Sequence, residues 1–119
     1  MKFGAIYCIY DDYEYVDISL EVFRDQVDYI LFLISDVPWN GQPCDNSTTI
    51  RKIKNICKNN NKCKLICGHW TNEIDQRNFG LEHFYLEKIE ICFIVDSDEI
   101  YHLQHVKNIK NFINTNSQY

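Results

Sequence analysis

The chain has 119 residues, of which 45% are hydrophobic and 14% aromatic, and its formal net charge at pH 7 is −5. This length suits one compact domain and is too short for two. The acidic balance argues against nucleic-acid binding, because such proteins need a basic surface to displace counterions from phosphates. The sequence has no apolar run of about twenty residues that would span a membrane. Lys2 is followed directly by a strand pattern rather than by a signal peptide. We therefore expect a soluble, cytoplasmic protein.

The composition also includes six cysteines. Four of them lie inside apolar segments typical of strands or helices, so we interpret the cysteines as buried thiols in a reducing compartment. The sequence contains no Cys-x-x-Cys pair. Cys57, Cys63, Cys67 and His69 have spacings unlike those of structural zinc sites, which argues against bound zinc.

Four apolar, β-rich runs predict four strands, at residues 3–10, 29–35, 63–67 and 89–95. An amphipathic helix is predicted after each strand, since apolar side chains recur there every three to four residues. The apolar positions of the four helices are Val16, Leu20, Phe23 and Val27; Ile50, Ile53, Ile56 and Cys57; Ile74, Leu81, Phe84 and Tyr85; and Leu103, Val106, Ile109, Phe112 and Ile113. Ser47 is the expected N-cap of the second helix, and the third helix is expected over residues 73–87.

The regular alternation of strand and helix predicts an α/β fold with a mostly parallel, four-stranded, Rossmann-like sheet between two helix layers. Residues 1–113 would form this single domain, and residues 114–119 a polar C-terminal tail. In such a three-layer αβα fold the carboxyl ends of the strands open onto one edge, where ligands bind. The residues that follow each strand are therefore the first candidates for a site.

An acidic cluster follows the fourth strand: Asp96, Asp98 and Glu99, with Ser97 between the first two. Two like charges about 4 Å apart repel by about 4 kcal/mol at an effective dielectric constant near 20, so such a cluster tends to recruit a cation. Mg²⁺ and Mn²⁺ prefer oxygen ligands of this kind. The alternative is that the carboxylates cap the final helix and favour its positive N-terminal end.

Two further polar groups stand at the predicted sheet edge, Tyr10, Asp11 and Asp12 after the first strand and Asp36 after the second. The first group equally suits the N-terminal cap of a helix. A glycine-rich phosphate loop is missing at this position in the sequence, which argues against a dinucleotide-dependent enzyme and against a P-loop nucleotidase.

Arg77 lies in the predicted third helix beside Asn78 and Gly80, two poor helix formers of a kind often kept near functional sites. Together with the acidic cluster after the fourth strand, this order of features resembles that of family 2 glycosyltransferases, which have the GT-A type nucleotide-diphospho-sugar transferase fold. The motifs that carry the resemblance are Trp70-x4-Asp75-x-Arg77-Asn78-x-Gly80-Leu81 and Asp96-Ser97-Asp98-Glu99. The resemblance covers nearly the whole chain and corresponds to the donor-binding half of the family's domain.

The resemblance implies a glycosyltransferase-like site for a nucleotide-diphospho-sugar donor, a UDP-sugar or a GDP-sugar. Asp98 would ligate a Mn²⁺ or Mg²⁺ ion that bridges the diphosphate, and Asp96 would contact the ribose or the water shell of the metal. Arg77 would help to hold the nucleotide, and Asp36 would hydrogen-bond the base. The nucleotide-sugar-binding residues expected on this basis are Tyr10, Asp11, Asp36, Arg77 and Asp96.

The acceptor half of the family's domain, which supplies the catalytic base, has no counterpart in this sequence. Catalytic residues are therefore left unassigned, and a homo-oligomer or another chain would have to complete the site before the sugar passed to an acceptor hydroxyl. The alternative from another functional class is a non-catalytic α/β interaction or regulatory module, in which the acidic cluster only caps a helix.

Overall fold

The structure, a computed structural model, describes residues 1–96 and 98–116. Its strands are β1 (Phe3–Ile9), β2 (Tyr29–Ser35), β3 (Cys63–Gly68) and β4 (Ile91–Asp96). Its helices are α1 (Val16–Phe23), α2 (Ser47–Lys58), α3 (Glu73–Leu86) and α4 (Leu103–Thr115). Each helix follows the strand of the same number, as the sequence pattern predicts.

The four strands form one parallel sheet in the order β3-β2-β1-β4. In this register Cys8 of β1 lies between Leu33 of β2 and Asp96 of β4. The central strands β1 and β2 are almost entirely apolar, because a parallel strand covered by helices on both faces has no solvated side. The predicted α/β class with a Rossmann-like parallel sheet is confirmed.

Helices cover the two faces of the sheet unequally. Helices α1, α2 and α4 pack on one face through a large apolar cluster, with the ring of Tyr7 stacked on Phe32 and edge-on to Phe23. The buried hydroxyls of Tyr7 and Ser19 share a hydrogen bond of 2.7 Å, which satisfies both groups inside this cluster. Helix α3 lies on the opposite face, so the sheet is the middle of three layers.

Helix α3 packs on the sheet through a face that only partly matches the one its apolar residues predict. Ile74 and Tyr85, expected to face the sheet, are 69% and 81% exposed, whereas Gln76, Gly80 and Phe84 are buried. A Cβ added at Gly80 would lie 2.8 Å from Cδ1 of Ile6, so glycine lets the helix approach β1 closely. The prediction is confirmed for Phe84 and wrong for Ile74 and Tyr85, because a buried glutamine and a glycine, neither of which counts as apolar, supply the rest of the contact.

Helices α2 and α4 also differ from the expected helices, each at one end. Helix α2 already includes Ser47, and Asn46 holds the N-cap position instead. Helix α4 continues through Thr115, two residues into the segment predicted as a tail, and residues 117–119 lie outside the described part of the chain. Within the described residues, no helix combines the length and the apolar character needed to cross a membrane.

Candidate functional site

A cavity of about 380 Å³ opens at the carboxyl ends of β1 and β4. Strand β1 is the point where the winding of the sheet reverses, since β2 and β3 lie on one side of it and β4 on the other. Open α/β sheets bind their ligands in the crevice at such a switch point. The side chains in the cavity wall that concern its chemistry are Cys8, Tyr10, Trp39, Gln76, Asp96 and Asp98.

Arg77 joins α3 to the acidic cluster. Its Nη2 donates to Oδ1 of Asp96 at 3.1 Å and lies 2.5 Å from Oε1 of Glu73, one helical turn earlier. The backbone N–H of Asp96 in turn donates to Oε1 of Glu99 at 2.8 Å. Part of the positive charge that the carboxylates were expected to recruit is therefore supplied by the chain itself.

The Nε of Arg77 is buried and has no hydrogen-bond partner among the described residues. A buried donor left unpaired costs about 1–3 kcal/mol. The two ion pairs at the other end of the guanidinium hold the side chain against the cavity wall. The carboxylates of Glu73 and Asp96 therefore fix the position of the Arg77 side chain.

Asp98 is the most exposed carboxylate of the acidic cluster and lines the cavity, while Ser97 lies outside the described residues. Among residues 1–96 and 98–116, no group of three or more His, Cys, Asp or Glu side chains is placed to hold a metal ion. Mg²⁺ is nevertheless commonly held by one or two carboxylates together with substrate phosphates. Asp96 and Asp98 fit a metal shared in this way, and they do not form a complete protein cage.

The interpretation of the acidic cluster as the cap of the final helix is wrong. Helix α4 begins at Leu103, and His102 occupies its N-cap, where its Nδ1 accepts from the backbone N–H of Gln104 at 3.2 Å. The carboxylates lie further back, at the end of β4. Their position at the cavity therefore needs another explanation.

Tyr10 and Asp11 hold the loop between β2 and α2. The Tyr10 hydroxyl donates to the carbonyl oxygen of Cys44 at 2.8 Å and accepts from its backbone N–H at 2.7 Å. Asp11 accepts from the Cys44 thiol and from the Thr49 hydroxyl, each at 3.1 Å. The helix-capping alternative for this segment is wrong as well, because the N-cap position of α1 is occupied by Tyr15.

Asp36 lies at the end of β2, where its Oδ1 is 2.7 Å from Nδ1 of His69 at the end of β3. Both side chains are about two-thirds exposed. The structure thus divides the residues predicted for the site. Tyr10, Asp96 and Asp98 line the cavity and Arg77 contacts its wall, whereas Asp11 and Asp36 are not among the described residues that line it.

Two residues of the cavity wall were missed by sequence reasoning, Trp39 and Gln76. Gln76 is 1% exposed, and its Nε2 donates to the Leu33 carbonyl at 2.8 Å while its Oε1 accepts from Nε1 of Trp39 at 2.8 Å. The indole of Trp39 is thereby fixed beside the cavity and remains 38% exposed. Nothing in the sequence around Gln76 indicates a place in the cavity wall. Trp39 could have been considered, because it is a tryptophan in a loop between two prolines.

Cys8 forms the buried part of the wall. Desolvation raises the pKa of its thiol to about 12, against the opposing effect of the nearby Arg77 guanidinium. The thiol is therefore neutral at physiological pH and acts here as a small apolar surface.

The fold and the site together define a class: a Rossmann-like α/β domain with an acidic, tryptophan-lined cavity at the switch point of its sheet. Comparison of the chain with protein-family models, with curated proteins and with solved structures finds no match. What this domain does must therefore be argued from its own cavity.

Proposed function

We propose that this domain binds a nucleotide-diphospho-sugar in the switch-point cavity, through a Mn²⁺ or Mg²⁺ ion shared between Asp98 and the diphosphate. The observation that carries the proposal is that Asp96 and Asp98 reach this cavity from the end of β4. They stand there with an aromatic side chain and a fixed guanidinium nearby. Carboxylates can share a metal with substrate phosphates, and an aromatic side chain can stack on a base.

The acidic character of the cavity makes the metal necessary. Asp12, Asp96, Asp98 and Glu73 all line it, and Arg77 compensates only part of their charge. A bare diphosphate would be repelled by this wall, whereas a divalent cation attracts both the wall and the phosphates. Because the described residues include no group of three side chains placed to hold a metal, metal and nucleotide should bind together and each should bind weakly alone.

Arg77 acts as a positioning residue for Asp96. The ion pair of 3.1 Å fixes the carboxylate at the end of β4 and lowers the negative charge that an anionic ligand meets. Asp96 would contact the ribose or the water shell of the metal from this fixed position. The role proposed for Arg77 toward the nucleotide is thus exerted through Asp96.

Trp39 would supply a planar surface for a base or a sugar ring. Stacking of a base on an aromatic side chain is worth about 1–3 kcal/mol in nucleic-acid complexes. The hydrogen bond to the buried Gln76 holds the indole in place before the ligand arrives, which reduces the entropy lost on binding. A base contact at Asp36 would in addition require the ligand to extend along the sheet edge past the end of β2.

The metal, when bound, would neutralise the charge that develops on a departing nucleoside diphosphate. No described residue is assigned as the base that would activate an acceptor hydroxyl, so the function proposed for this chain is donor binding. Transfer of the sugar would depend on acceptor-side residues from a second copy or another chain.

A second candidate function, a non-catalytic interaction module, is favoured by the outer face of α3. Ile74, Leu81, Tyr85 and Leu86 are between 41% and 81% exposed on this helix. An apolar surface of this kind often marks a contact with another protein. None of these four residues is among those that line the cavity, so substitutions can test the two functions separately.

Thermal unfolding in the presence of UDP-sugars and GDP-sugars, each with and without Mn²⁺, tests the proposal. A ligand at about 100 times its dissociation constant stabilises the folded state by about 2.7 kcal/mol. We expect stabilisation only with metal and nucleotide together, its loss in Asp98→Asn, and its retention in Glu21→Gln, an exposed acid on α1. An unchanged melting temperature with every combination at millimolar concentration would exclude donor binding and favour the interaction module.

A further inference from the structure

Cys57 and Cys63 lie together on the sheet face that α1, α2 and α4 cover. Cys57 is in the last turn of α2 and Cys63 begins β3, and both pack, partly buried, on the same apolar cluster. Two successive turns fold the connection back on itself. In them the N–H of Asn60 donates to the Cys57 carbonyl at 3.4 Å, and the N–H of Cys63 donates to the Asn60 carbonyl at 3.1 Å.

The two side chains interact with each other across this turn, and the interaction shifts the pKa of each thiol. Six residues apart in sequence, they are brought together by the turn rather than by chance contact across the core. All six cysteines of the chain are reduced in this structure. Cys57 and Cys63 are therefore both free thiols.

Cys8 and Cys92, two thiols that pack on the other face of the sheet, cannot be joined in the same way. Cys8 and Cys92 lie on neighbouring strands, but Cys8 is in register with Asp96 and Cys92 with Gly4. Four residues of offset correspond to about 13 Å along a strand. A disulfide requires Cα atoms within about 7 Å of each other, so this pair is too far apart.

We propose that Cys57 and Cys63 are a redox-sensitive site, at which hydrogen peroxide or another hydroperoxide converts the two thiols into a reversible intramolecular disulfide. The bond would tie the C-terminal end of α2 to the start of β3. The two cysteines lie near the amino-terminal end of β3, whereas the cavity lies at the carboxyl ends of β1 and β4. The proposed redox site is therefore independent of donor binding.

Cys63 is the attacking thiol. The interaction with Cys57 lowers its pKa, and the charges of Arg24 and Lys62 act in the same direction against desolvation. The Nζ of Lys62 is held beside it by the carbonyls of Arg24 and Val27, at 2.5 and 3.1 Å. The same interaction raises the pKa of Cys57, which therefore keeps its proton and serves as the resolving thiol.

The reaction has two steps and balances. The Cys63 thiolate attacks one peroxide oxygen, the S–O bond forms, the O–O bond breaks, and the departing hydroxide takes up a proton as the first water. The Cys57 sulfur then attacks the Cys63 sulfur, the S–S bond forms and the S–O bond breaks. The Cys57 proton leaves with the hydroxyl group as the second water. The two sulfurs together lose two electrons, and the peroxide gains them.

Peptide mapping of the wild-type protein after peroxide treatment tests this proposal directly. Trypsin cleaves after Lys54, Lys58, Lys62 and Lys64. We expect an unreduced digest to contain peptide 55–58 joined to peptide 63–64, with a mass lower by two hydrogen atoms and with the link broken by dithiothreitol. The far-UV circular dichroism of the oxidised protein should remain that of the folded domain.

Two variants sharpen the test. Cys67→Ser, on the same strand, should form the linked peptides as the wild type does. Cys57→Ser should form none and should instead leave Cys63 as a sulfenic acid that dimedone traps. A disulfide between any other two cysteines, a disulfide-linked dimer, oxidation of both thiols without a link, or loss of the fold on oxidation would each overturn the proposal. The wild-type map decides the question even if Cys57→Ser does not fold.

Discussion

Arg77 on α3 and Asp96 at the end of β4 are joined by an ion pair of 3.1 Å that crosses the wall of the switch-point cavity. The pair links the third helix to the acidic cluster after β4. It also reduces the net negative charge of the acidic cluster. One carboxylate is already compensated from within the chain, which leaves Asp98 as the main candidate for a metal ligand.

Replacement of Arg77 should affect binding more than stability. The guanidinium and the Asp96 carboxylate are 32% and 47% exposed, and ion pairs of this kind contribute about 1 kcal/mol or less to folding. We expect Arg77→Gln to lower the free energy of urea unfolding by no more than about that amount, while donor affinity falls severalfold because Asp96 is no longer oriented. A loss of several kcal/mol in unfolding, with donor affinity unchanged, would show that Arg77 is only structural.

Replacement of Gln76 should destabilise the fold. Gln76→Leu leaves the Leu33 carbonyl and the Trp39 indole N–H without their partner, and a buried polar group left unpaired costs about 1–3 kcal/mol. Urea unfolding should show a loss in that range, and Trp39 should become more mobile, with its fluorescence shifted to longer wavelength. The control is Gln104→Leu on the exposed side of α4, where we expect a change within about 0.5 kcal/mol. Equal effects of the two substitutions would contradict the role given to Gln76.

Replacement of Trp39 should act mainly on ligand affinity. If the indole stacks on a ring of the donor, Trp39→Ala should reduce the binding free energy by about 1–3 kcal/mol. The dissociation constant would then be roughly 5 to 150 times larger. Trp39→Phe keeps an aromatic surface but not the hydrogen bond to Gln76, and should lose less. Calorimetric titration of both variants checks the order. An affinity that is the same in all three proteins would mean that the ligand does not reach Trp39.

Stability should fall in alkaline solution because of two thiols, the buried Cys8 and the partly buried Cys92. Burial raises the pKa of each from its ordinary value of 9.0 to about 12. Below the lower value both the folded and the unfolded chain keep the protons. Between the two values only the unfolded chain releases them, so the free energy of unfolding falls by about 1.4 kcal/mol per pH unit for each thiol.

Urea unfolding at a series of pH values between about 8 and about 11 measures this slope. Cys92→Ala should make the slope shallower by about 1.4 kcal/mol per pH unit, the contribution of one thiol. This expectation holds whatever the substitution does to stability at neutral pH. Parallel slopes for the variant and the wild type would mean that Cys92 ionises equally in the folded and the unfolded chain.

Much of the fold was predictable from the spacing of apolar residues along the sequence and from the composition of each segment. Residues 29–35 were predicted as a strand with the boundaries observed, since a continuous apolar run between polar ends is typical of a strand buried on both faces. The face of α3 was only partly predictable, because Gln76 and Gly80 form much of its buried contact while Ile74 and Tyr85 are exposed. The spacing of apolar residues indicates which face of a helix can be buried. A close approach between helix and strand, as at Gly80, can bury a different face.

The site was predictable only as far as strand ends could be identified. The cluster at Asp96 and Asp98 was recognised by its position after a buried strand. The order of the strands determines which ends meet, and β4 beside β1 places this cluster next to Tyr10 and away from Asp36. The contact of Trp39 with Gln76 depends on that order and on a loop conformation, neither of which a local pattern encodes.

The central claim is that metal and nucleotide-sugar bind together at Asp98, and isothermal titration calorimetry tests it most directly. The measurement compares Mn²⁺ alone, a UDP-sugar or GDP-sugar alone, and the sugar nucleotide in the presence of Mn²⁺, for the wild type, Asp98→Asn and Glu21→Gln. We predict saturable binding with one site only for the combination, in the wild type and in Glu21→Gln, and its loss in Asp98→Asn. Equal binding with and without metal, or binding that survives in Asp98→Asn, would contradict the account.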